Sequence, residues 1–75
     1  MILDLIIHKT DDGYTAEIPS LKGCESWAHD EETVIDKIFE MAAFYLKTDP
    51  KKFKLDKARG NSKKTVFKLV FDKPN

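Results

Sequence analysis

Only one stretch of this 75-residue chain is patterned as a helix, and strand-like segments flank it on both sides. Val34, Ile35, Ile38, Phe39, Ala42, Tyr45 and Leu46 recur at spacings of three and four, while Asp36, Lys37, Glu40 and Lys47 take the other side. Asp30 is placed as the N-cap, and Glu31 and Glu32 favour the positive end of the helix dipole. Thr33 stands where a full capping box has Glu or Gln, so half of that motif is expected. Thr48-Asp49-Pro50 stops the helix, because a residue before proline avoids helical backbone angles. A single amphipathic helix covers one face of a sheet and no more.

The strands carry more apolar surface than that. Residues 2–8 are nearly all apolar, interrupted by Asp4, and lead through Asp12-Gly13 into 14–18, where Tyr14, Ala16 and Ile18 alternate with Thr15 and Glu17. Asp12-Gly13 is expected to supply the positive φ of a tight turn. Pro19 ends the second strand, and 20–23 turn into a third over 24–28. Residues 51–64 read as a basic loop with a possible helical turn after Pro50 and a turn at Gly60-Asn61. Residues 65–72 alternate again as a last strand. The order predicts one α+β domain over 1–75, β-β-β-α-β: an antiparallel three-stranded meander, one helix, and a last strand parallel to the first, as a crossover helix requires of neighbours.

In that arrangement Ile2 and Ile6 oppose Leu3, Leu5 and Ile7, and Val66 and Val70 oppose Phe67, Leu69 and Phe71. With Trp27, the tryptophan beside the third strand, these surplus residues predict an oligomer interface in a homodimer or dimer of dimers. Length supports the same expectation, since a chain this short buries only about 60% of its unfolded surface. The lone Cys24 excludes an intrachain disulfide, and two histidines with one cysteine do not make a zinc site. A start without basic residues and a longest apolar run of six residues predict neither signal peptide nor membrane span, hence a cytoplasmic protein.

The formal charge is zero, 13 basic against 13 acidic residues, which speaks against a dedicated nucleic-acid binder. It divides unevenly. Residues 1–46 hold ten acids and three bases, a net −7, and residues 47–75 hold ten bases and three acids, a net +7. Such asymmetry suggests interaction surfaces, or charge pairing within the folded unit.

Catalytic signals are thin. Cys24 and His29 lie five apart, but a half-buried thiol is more often a small apolar group than a nucleophile. His8 reads as a surface residue. Asp4, Glu40 and Asp72 fall on a first strand, a helix and a last strand, as a divalent-metal nuclease site would need. If the outer two strands were parallel, Asp4 and Asp72 would stand on the order of 15–20 Å apart, whereas two-metal sites have ions about 4 Å apart. Gly13, Gly23 and Gly60 are scattered and form no phosphate loop. No catalytic residue, metal or cofactor is assigned.

Asp11-Asp12-Gly13-Tyr14-Thr15-Ala16-Glu17-Ile18-Pro19-Ser20-Leu21-Lys22-Gly23-Cys24, then Ser26 and the capped Asp30-Glu31-Glu32 helix start, resembles the HicB-type antitoxin family. The likeness spans residues 2–46 and joins a Gly-Tyr hairpin, a Pro before a Leu-x-Gly-Cys turn, and an acidic helix start. It implies a partial ribonuclease H-like fold without nuclease residues. It also implies a non-enzymatic domain that masks a small basic ribonuclease toxin and commonly forms dimers or tetramers. The toxin-facing surface would be acidic: Asp11, Asp12, Glu17, Glu25, Glu31, Glu32, Asp36 and Glu40. Nothing after Leu46 looks like the family's helix-turn-helix or ribbon-helix-helix segment, so a short stand-alone member without direct DNA binding is expected. The alternative reading is an orphan homo-oligomer of the same fold.

Overall fold

The computed structural model describes residues 2–71. Three strands form the meander, β1 (Ile2–Lys9), β2 (Tyr14–Glu17) and β3 (Glu25–Ala28), followed by the helix α1 (Glu31–Leu46). A 3-10 turn at Pro50–Lys52 leads into β4 (Lys54–Gly60) and β5 (Lys64–Val70). All five strands join one antiparallel sheet in the order β3-β2-β1-β5-β4. The α+β class with one helix is as the sequence implies.

The expected parallel pairing of the last strand with the first is overturned. Ile2 pairs with Val70 and His8 with Lys64, an antiparallel register. The basic stretch that reads as a loop in sequence supplies the reason. Leaving α1, the chain forms edge strand β4, then turns back at Gly60-Asn61, where Asn61 Oδ1 accepts from the Lys63 and Lys64 N–H groups at 2.8 and 2.9 Å. One additional strand reverses the sense of the next. β4 is illegible as a strand because it borders solvent: Leu55 is its one large apolar residue, and charged residues flank a bulge between Lys57 and Arg59.

Helix and sheet enclose one core. Leu3, Leu5 and Ile7 of β1, Ala16 of β2, Ala28 of β3 and Leu69 of β5 meet Val34, Ile38 and Ala42 of α1. Phe53 extends it, packing edge to face between Phe39 at 5.5 Å and Phe71 at 5.3 Å between ring centroids. Tyr45, placed by spacing on the apolar stripe, is instead exposed. Asp30 caps α1 with both carboxylate oxygens, one accepting the Thr33 N–H at 2.8 Å and the other its hydroxyl at 2.9 Å. Thr33 thus supplies a second contact where the capping box was expected to be half complete. The helix closes through Lys47 in the left-handed region, with the Thr48 N–H on the Ala43 carbonyl at 3.0 Å.

Gly13 does not supply a positive φ; Gly23 alone among the described glycines does, at 79°. Gly13 is required by space. A Cβ there would run into the Ala28 carbonyl oxygen and come within 2.7 Å of the Trp27 ring.

Candidate partner-binding surface

The eight carboxylates expected to form one acidic surface are distributed by the fold over three places. Asp11 and Asp12 occupy the β1–β2 turn, which His29 ties to the approach to α1 through its Nδ1, 3.3 Å from the Asp12 carbonyl oxygen. Glu31 and Glu32 follow in the first turn of α1. These four form an exposed acidic end together with Asp30, whose carboxyl is held below the usual range chiefly by the Thr33 backbone hydrogen bond.

Asp36 and Glu40 stand further along α1 and line a shallow hollow with Phe39, Pro50 and Lys51. Glu17 and Glu25 face each other directly across β2 and β3 on the sheet face away from α1. Like charges in that position repel. The Glu17 carboxylate lies 3.4 Å from His8 Nε2. Trp27 on β3, 39% exposed, completes a hollow with His8, Thr15, Glu17 and Glu25.

The five residues expected at an oligomer interface share that bare face. Val66 is buried yet lies outside the core cluster, and Ile2, Ile6 and Val70 are likewise absent from the residues packed on it. Ile2 is 62% exposed. The same face carries Lys54, Arg59, Lys64 and Lys68 at its β5–β4 end, which sequence reasoning left within a loop or unassigned. Their signal was missed because Arg59 and Lys54 align with the bare face only once β4 is recognised as a strand.

Compared with family models, curated proteins and solved structures, the chain matches none. The likeness to HicB-type antitoxins therefore rests on the residues quoted for it.

The residues weighed for catalysis do not converge. Asp4 is paired with Lys68 on the bare face, Glu40 stands on α1 on the opposite side of the sheet, and Asp72 lies outside the described residues. The antiparallel register removes the separation argued from parallel strands; the opposed placement of Asp4 and Glu40 takes its place. Among the described residues, no three His, Cys, Asp or Glu side chains are grouped to hold a metal. Cys24 is buried, and burial pushes its thiol up, away from the reactive thiolate. No helix among the described residues is long and apolar enough to cross a membrane.

Proposed function

We propose that this chain is a non-enzymatic, HicB-like binding domain whose acidic end masks a small basic protein, a ribonuclease toxin in the family it resembles. One observation carries the reading. Among the described residues the ion-pair contacts are Lys68–Asp4 and His8–Glu17, the second ionic only with a protonated imidazole, so seven of the eight candidate carboxylates have no ionic partner among those residues. Asp11, Asp12, Glu31 and Glu32 are all exposed, on a turn that His29 touches at the Asp12 carbonyl and on a helix start capped by Asp30. Exposed acidic charge speeds encounter with a basic partner and fixes its orientation, and here it borders bases, since Glu31 lines a hollow with Lys9, Lys63 and Lys64. The ribonuclease H-like ancestry belongs to the same proposal: the β-β-β-α order supports it, and the antiparallel last strand departs from it.

The test uses the product of the reading frame beside the gene. If that product is a small basic protein, the two copurify after coexpression and the complex weakens with rising salt. Replacing Asp11, Asp12, Glu31 and Glu32 together by Lys abolishes it. No basic neighbour, or a complex indifferent to that replacement, overturns the assignment.

A further inference from the structure

The sheet face opposite α1 is unpartnered, and its charges are ordered. Cross-strand pairing sets its side chains in rows. One row runs Trp27, Thr15, His8, Lys64 from β3 to β5; the next toward the start of β1 runs Glu25, Glu17, Ile6, Val66, Arg59; the third runs Asp4, Lys68, Asp56; the last runs Ile2, Val70, Lys54. Apolar pairs occupy the centre, on β1 and β5. Among these rows, carboxylates fall mainly on the β3 side and bases mainly on the β4 side.

We propose that this face is a self-association surface, taken by a second copy of the chain turned about a two-fold axis that runs parallel to the strands between β1 and β5. That rotation lays β1 over β5 and β2 over β4 of the second copy. Ile2 then meets Val70 and Ile6 lies over Val66, which its own chain already buries, while Asp4 meets Lys68 and Glu17 meets Arg59, each contact occurring twice as a two-fold interface requires. His8 comes over Lys64 at the end of the strands, the least favourable of the contacts. The other in-plane two-fold, across the strands through the Asp4–Lys68 row, also stacks apolar on apolar but sets Asp4 over Asp4 and Lys68 over Lys68. Charge therefore selects the first arrangement. Aligned sheets pack about 10 Å apart at roughly 30°, which shifts the outer contacts by a distance the long Glu17 and Arg59 side chains can span.

The sheet edges are poor alternatives. β3 has four residues, and β4 is bulged and carries Lys54, Lys57 and Arg59, features that oppose strand addition. The face is separate from the acidic end assigned to a basic partner, so this inference does not rest on that assignment.

Sedimentation of the whole chain alone, at low and high salt, tests it. A reversible dimer weakened by salt is expected. Glu17→Arg and Arg59→Glu should each raise the dimer Kd by at least about tenfold, because each sets like charges opposite one another at both contacts. An equimolar mixture of the two variants restores opposite charges at both contacts, and should associate as a heterodimer near the wild-type strength. Circular dichroism of each variant confirms that the fold is kept. A wild type that stays monomeric up to about 500 µM at low salt overturns the proposal. So does a dimer that neither variant weakens, or a mixture that fails to recover association.

Discussion

Asp4 on β1 pairs with Lys68 on β5, directly across the antiparallel ladder and on the sheet face that the helix leaves bare. The pair marks the register, because in a parallel arrangement these two residues would not be opposite. Both side chains are about half exposed, 50% and 46%, so water screens the attraction.

Removing the pair should therefore cost little. A double-mutant cycle with Asp4→Asn and Lys68→Met, followed by urea unfolding at low protein concentration, is expected to give a coupling below about 1 kcal/mol that fades with salt. A coupling of several kcal/mol would show that the site is much drier than its exposure indicates.

Gly13→Ala should destabilise the fold by about 1–3 kcal/mol, since the added methyl meets backbone at Ala28 as well as the Trp27 ring. The penalty should largely persist in a Trp27→Ala background, because the closest obstacle is the Ala28 carbonyl oxygen. Urea midpoints of the single and double variants check both points.

Cys24 should react slowly with thiol reagents in the native protein and rapidly once it is unfolded. Two causes act together: the side chain is buried, and burial disfavours the thiolate that performs the attack. Absorbance-monitored labelling with and without denaturant measures the contrast; equal rates would contradict the placement.

The Asp30 carboxyl is held below the ordinary aspartate range in the folded chain, with the Thr33 backbone hydrogen bond as the main cause. The folded state thus holds the proton less tightly than the unfolded one. Stability from this group is fully present above the unfolded carboxylate range and is lost as pH falls through the folded value. Asp30→Asn keeps an N-cap acceptor but removes the titration, so its unfolding midpoint should fall less steeply with acid than that of the wild type.

Lys47 closes α1 at φ 54°, a conformation that costs an L-residue more than glycine. Lys47→Gly should raise stability by about 0.5–1 kcal/mol, the relief of strain outweighing the freedom glycine adds to the unfolded chain. Thermal unfolding of the two proteins decides it.

The sequence by itself determined the helix and its Asp30 cap, the first hairpin and the two-sided apolar character of residues 2–8 and 65–72, whereas the helix closes on left-handed Lys47, ahead of Pro50. Each feature the sequence determined is a local pattern: a period of 3.6 or 2, or a capping side chain. Opposite placement of Leu5 and Ile6 follows from alternation alone. Tertiary structure decided what depends on partners distant in the chain. β4 has almost no apolar alternation, because an edge strand that borders water gains its place from the ladder to β5 rather than from burying its own side chains. That strand reversed β5 against β1, and so brought Asp4 to Lys68. Spacing could make Glu17 and Arg59 charged surface residues; only the sheet register put them in one row on opposite sides of an apolar pair, Ile6 and Val66.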